Sequence, residues 1–143
     1  MHPPHPWTAL RAMTDTYVHW RSDLPPSLNG ATRGDRIWLR SDLTQVERRC
    51  VLAHELEHRR RRHEGCQPVA VERAVQHGAA CYLLPSAHLV GEALVWAALR
   101  LDEAADALWV TERMLRARLD PRHLPAADRA VITARVAAAH LVA

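Results

Sequence analysis

The chain has 143 residues and is 48% hydrophobic, enough to bury one core and too short for two, so a single domain is expected over 1–143. Its 19 basic residues are all arginine and its formal net charge is +3, a balance that permits contact with nucleic acid without demanding it, so any basic excess must be judged locally. Cys50, Cys66 and Cys81 form an odd set without a CxxC pair; they signal neither a disulfide framework nor a zinc ribbon and read as reduced thiols in or near the core.

The amino terminus, MHPPHPW, lacks a basic segment followed by an apolar one, and no later stretch is long and apolar enough to span a bilayer, so a cytoplasmic location is expected. The absence of lysine and phenylalanine and the abundance of alanine point to the base composition of the coding sequence and not to any site.

Residues 1–6 read as a loose lead-in and WTALRAM as a first short helix, which together make 1–14 an N-terminal segment. TYVHW, Thr16 to Trp20, and RIWLR, Arg36 to Arg40, read as strands. Between them LPPSLNGATRGD supplies turn residues, with RGD as a tight turn before the second strand. From Thr44, TQVE has the form of a capping box and opens a helix expected to run to Gly65. Pro68 suits the first turn of a second helix ending before Pro85. Further helices are expected over Ser86 to about Leu99, Asp102 to about Leu108, Thr111 to Leu119, and from about Ala126 to the end. Strands first and helices after give an α+β class: a small antiparallel sheet near the N-terminus on a mainly helical core, with C-terminal helices.

The first long helix carries LAHELEHRRRRHEG, Leu52 to Gly65. Residues four apart share a helix face with β-carbons about 5–6 Å apart, so His54 and His58 can aim at one zinc ion. Glu55 lies one position round, placed to exchange a proton with water beside the metal. An open catalytic site needs a third protein ligand. A histidine six residues after the second would serve, but Arg61 and Glu64 occupy the positions where that pattern has glycine and histidine, and His63 falls on another face and reads as solvated. A hairpin brings Glu72 of the next helix to the height of His58, although a glutamate early in a helix is equally explained by the helix dipole. His77 and Cys81 lie further along that helix, away from the pair.

ERAVQHGAACYLLP, Glu72 to Pro85, together with HELEH upstream, resembles the two-part signature of the ImmA/IrrE-type metallopeptidases, a gluzincin-like family whose second segment reads ExxANxFAxxLLxP. Glu72, Ala79, Leu83 and Pro85 match it. Val75, Gln76 and Gly78 depart from it, and Gly78 for phenylalanine is expected to remove core volume beside the metal helix and to cost about 1 kcal/mol of helix propensity. The resemblance covers roughly residues 15–120 and implies a zincin-like peptidase core over 15–95 and a C-terminal helical part over 96–143. It implies one zinc ion held by His54, His58 and Glu72, with Glu55 as catalytic base. It also implies a phage or mobile-element immunity or stress protein whose substrate is a partner helix-turn-helix repressor, in the host cytoplasm if phage-encoded. RIWLR offers a strand edge for an extended substrate, and Tyr17, Tyr82, His19 and His88 are candidate oxyanion donors.

Arg59 to Arg62 point in four directions round their helix, either as a solvated end complementing the dipole or as a basic collar steering substrate. LDEAADALWVTERMLRARL has the outline of a helix-turn-helix in which Arg113, Arg116 and Arg118 would meet DNA, opposed by Asp102, Glu103, Asp106 and Glu112. Trp96 and Trp109 read as core. The alternative to an enzyme is a regulatory binding module for protein or DNA, with a structural or vestigial zinc site. Glu55 separates the two, because a structural site has no use for a base beside its ligands.

Overall fold

The computed structural model describes residues 4–142; the first three residues of the expected lead-in lie outside them. In chain order the elements are α1 (Pro6–Ala12), β1 (Tyr17–Arg21), β2 (Gly30–Arg33), β3 (Arg36–Arg40), α2 (Gln45–Arg60), α3 (Val69–Leu83), α4 (Ala87–Trp96), α5 (Leu101–Leu108), α6 (Glu112–Arg118) and α7 (Ala126–Val142). The class is α+β, with the sheet near the N-terminus and the helices after it. No single described helix is long and apolar enough to cross a membrane; the apolar pair α3 and α4 meets at an 86° bend.

Helix α2 organises the molecule because two cores share it. Leu52 and Leu56, one turn apart, pack with Ile37 and Leu39 of β3, closed off by Trp7, Leu10 and Val18. Cys50 and Ala53, on another face, join the larger core that runs through α3 to α6 and reaches Ile132 of α7. Each fully buried aliphatic side chain contributes about 1.5–3 kcal/mol, whereas the capping box at Thr44 and Glu47 contributes about 1 kcal/mol. Burial therefore holds α2 in place and the cap sets where it begins. It ends earlier than expected: Arg61 is the C-cap and Arg62 turns left-handed (φ 60°), so 61–68 form a loop in which Gly65 (φ 69°) makes a second bend.

The sheet is mixed, in the order β1–β3–β2, and not the all-antiparallel one expected. β2 and β3 form an antiparallel hairpin, with Ala31 opposite Trp38 and Gly34 left-handed (φ 59°) at its turn. β2 occupies one edge of β3 and β1 the other, running parallel to it with Val18 beside Ile37. The stretch expected to be all turn thus contains a strand, β2. The remaining connection is organised by Arg40, whose guanidinium donates to the carbonyls of Leu24, Pro25 and Leu28 at 3.2, 2.7 and 2.6 Å and to Asn29 Oδ1 at 3.3 Å.

Two buried arginines fasten the C-terminal half. Arg49 of α2 donates to the Trp109 carbonyl at 2.6 Å and the Pro4 carbonyl at 3.2 Å. Arg118 of α6, 1% exposed, donates to the Leu84 carbonyl and to Asp128 Oδ2, both at 2.8 Å. Trp109 is the left-handed C-cap of α5 (φ 58°); that conformation turns its carbonyl inward to Arg49 and leaves the indole exposed. Trp96, at the end of α4, is 72% exposed. Neither tryptophan is core, contrary to expectation. Removing a buried, paired guanidinium strands its partners, so Arg118→Ala is expected to lower unfolding free energy by about 3 kcal/mol. Arg116→Ala, which breaks only an exposed pair with Glu112, should cost under about 1 kcal/mol. Urea denaturation of the two variants checks both.

Candidate metal centre

The polar seam of α2 between its two buried faces meets α3 across a cleft of about 810 Å³, lined among others by His54, Glu55, His58 and Glu72. Nε2 of His54 and Nε2 of His58 lie 3.1 Å apart, and Glu72 Oε2 lies 3.2 Å from the first and 3.0 Å from the second. Ligands about 2.0–2.1 Å from a tetrahedral zinc ion stand about 3.3 Å from one another. The three atoms therefore have nearly the mutual spacing of a coordination shell, and among the described residues this is the group able to hold a metal ion.

The outer ring nitrogens support the same assignment. His54 Nδ1 lies 2.6 Å from Gln76 Oε1; a carbonyl oxygen only accepts, so Nδ1 carries the proton and Nε2 turns its lone pair on Glu72. A cation between them would reconcile a bare nitrogen with a carboxylate oxygen 3.2 Å away. His58 Nδ1 lies 3.1 Å from His63 Nδ1, a contact that fits the same tautomer when His58 is the donor. Such partners orient metal-binding imidazoles and raise their basicity. Burial first, and the neighbouring imidazole second, lower the pKa of His54; burial also lowers that of His58, although Glu72 opposes it. Both are thereby kept neutral, as metal binding requires. Burial raises the Glu72 carboxyl, but the net shift is downward, led by the Gln67 N–H that donates to it at 3.2 Å.

His63 is thus not solvated. The left-handed turn at Arg62 folds the chain back, with the His63 N–H on the His58 carbonyl at 3.0 Å, and brings the ring under His58. Gln76, four residues after Glu72, was legible as its same-face neighbour on α3; nothing in the sequence announced His63.

Glu55 is 6% exposed. Burial pushes its carboxyl up to about 7; the Thr32 hydroxyl, donating to Oε2 at 2.5 Å, opposes the shift, and the charge of Glu72 adds to it. Gly30 makes this contact possible, since a β-carbon there would stand 2.7 Å from Val51 Cγ1 and 3.0 Å from Glu55 Cγ. β2, and not the RIWLR strand, is the edge beside the cleft: β3 is paired on both sides, while Gly30, Ala31 and Thr32 line the cavity.

Gly78 leaves no gap where an aromatic was expected. A β-carbon there would lie 2.7 Å from Glu57 Oε1; that buried carboxylate fills the space and binds Arg60 at 2.5 Å and Arg61 at 2.8 Å. Burial raises the Glu57 carboxyl, but the two guanidiniums outweigh it. With Arg59 paired to Asp15 at 3.0 Å, three of the four consecutive arginines have carboxylate partners within the chain. The helix-turn-helix arginines also diverge: Arg118 is buried, Arg116 pairs with Glu112, and Arg113 lines the cleft. None of the four expected oxyanion donors lines it. Tyr82 donates to the His5 carbonyl at 3.3 Å, His19 stacks on Trp38, His88 faces Glu92, and Tyr17 is exposed.

No protein-family model matches the chain, and neither a curated protein nor a solved structure is significantly similar to it. The site is therefore read from its own geometry. Chain purified without chelator or metal-binding tag is expected to hold about one zinc per molecule, Glu72→Ala to lose it, and Gln76→Ala to bind it about 10- to 100-fold more weakly, as read by elemental analysis and chelator competition. Zinc absent from the parent would reduce the histidine motif to a charged helix. Gly30→Ala, forcing β2 off Glu55, should cost about 1–3 kcal/mol in thermal or urea unfolding.

Proposed function

We propose that this chain is a zinc-dependent endopeptidase in which His54, His58 and Glu72 hold the ion and Glu55 is the proton carrier. The observation that carries the reading is the convergence of two neutral imidazoles and a carboxylate in a cleft that also contains a separate, buried carboxyl. Three ligands without a fourth describe an open site, whereas structural zinc sites are normally closed by four protein groups. Zinc bound there supplies Lewis acidity at the scissile carbonyl and makes water more acidic.

The chain's own groups do the rest. Glu55 accepts a proton from the attacking water and delivers it to the amine nitrogen as the peptide bond breaks. The Thr32 hydroxyl holds its carboxyl against the sheet, and Gln76 and His63 hold the ligand rings. The free edge of β2 offers backbone groups to an extended peptide. Arg73 and Arg113 bring cationic groups to the same cleft. The resemblance of HELEH and of Glu72 to Pro85 to ImmA/IrrE-type peptidases supports a helix-turn-helix regulator as substrate and a cytoplasmic location, in the host if the gene is phage-borne; this part rests on family analogy.

The test is a terminus-labelled peptide library cut from a bacterial proteome, incubated with zinc-loaded chain and analysed by mass spectrometry, alongside co-expression with a helix-turn-helix regulator. Parent chain is expected to generate new termini. Glu55→Gln should retain zinc and lose at least about 10²-fold in cleavage rate. Zinc bound without cleavage by the parent would overturn the enzyme in favour of a binding module.

A further inference from the structure

α3 carries a second pair of chemically active side chains, outside the metal centre. His77 and Cys81, four residues apart, place Nε2 and Sγ 3.2 Å from each other. His77 Nδ1 lies 2.9 Å from the Ala117 carbonyl of α6; because that oxygen only accepts, Nδ1 carries the proton and Nε2 presents its lone pair to the thiol. His123 stacks on the ring, with centroids 5.3 Å apart and planes 28° apart. Both side chains are half-buried, hence reachable, and neither lines the metal cleft.

A thiol, a base within hydrogen-bond reach and a third group that fixes the base's tautomer make up the arrangement of an activated nucleophile. Cys50 shows the contrast within the same chain. It is 4% exposed and meets only the Thr111 backbone N–H at 3.4 Å, the surroundings of a packing thiol. Cys66 is exposed, and no described side chain bonds to it.

We propose that Cys81 is a site of covalent thiol–disulfide exchange with small disulfides, with His77 as its base. The Cys81 S–H proton passes to His77 Nε2 as Sγ attacks one sulfur of the disulfide. The new S–S bond forms, the original one breaks, and the departing thiolate takes the proton from the imidazolium and leaves as a free thiol. Cys81 is oxidised to the mixed disulfide and half of the small disulfide is reduced, so electrons and protons balance. Burial pushes the Cys81 thiol up, Arg118 pulls it back, and Asp128 and Glu57 reinforce the rise. Cys81 accordingly rests as the thiol, and its proton leaves during attack.

The experiment uses the full-length chain and dithiobis(nitrobenzoate) as the disulfide probe. In Cys66→Ser protein, a single fast thiol is expected in the folded state, mapping to Cys81 and reacting at least as fast as exposed Cys66 does in Cys81→Ser protein. Adding His77→Gln to Cys66→Ser should slow it at least about tenfold, with the circular dichroism spectrum unchanged. Cys81 silent until unfolding, slower than Cys66, or indifferent to His77→Gln would overturn the proposal. If His77→Gln fails to fold, the comparison of Cys81 with Cys66 decides alone.

Discussion

The close approach of α2 and α3 is the constraint on which the rest depends. Two histidines on one helix and a glutamate on the next meet within 3.2 Å only if the helices lie close and in the right register. Gly78 provides the closeness, because any larger residue would press on the Glu57 carboxylate. The carboxylate is in turn neutralised by Arg60 and Arg61, so an ionic contact does at this crossing what apolar bulk does in an ordinary core. Desolvation makes such a contact poor at adding stability and leaves it intolerant of losing one partner. It therefore specifies how the helices meet more than how strongly.

The second constraint is that α2 belongs to two cores at once. With Leu52 and Leu56 facing the sheet and Cys50 and Ala53 facing the helices, the residues between them are left on a seam that neither core covers. His54, Glu55 and His58 occupy that seam. Their burial follows from the crowding of both cores around it, and burial keeps the imidazoles neutral and raises the Glu55 carboxyl. The sheet contributes directly through Gly30 and Thr32, so the base is tuned by β2 while the ligand rings are oriented from α3 and the loop before it.

What could be read in the sequence was whatever depends on neighbours along the chain. The capping box at Thr44, the strand Arg36–Arg40, the four-residue spacing of His54 and His58 and the helix after Pro68 are local signals, and the structure has each of them. Glu72 was legible as a candidate by counting residues to the hairpin and from the motif around it. β2 was hidden, because Gly30 and Asn29 look like turn chemistry and the strand's register is set by β3 and Arg40. His63 was misplaced because a helix running to Gly65 puts it on another face; the actual stop, a left-handed arginine, carries no propensity signal. Trp109 failed for the same reason: left-handed caps are tertiary outcomes, and it adopts one in which its carbonyl meets Arg49.

The arginine-only composition also changes meaning in three dimensions. It looked like a trace of coding bias, yet several guanidiniums act as internal struts: Arg40 gathers the loop before β2, Arg49 ties α2 to both the N-terminal segment and the α5–α6 turn, and Arg118 joins the ends of α3 and α6 to the start of α7. Lysine, with one compact ammonium on a flexible stem, could not span several acceptors in fixed planes. Arg49 and Arg118, committed inward, contribute little to a surface field. The same commitment removes Arg118 from any DNA-reading face. Positive charge then reaches the cleft chiefly through Arg73 and Arg113, close to the atoms proposed to meet the substrate.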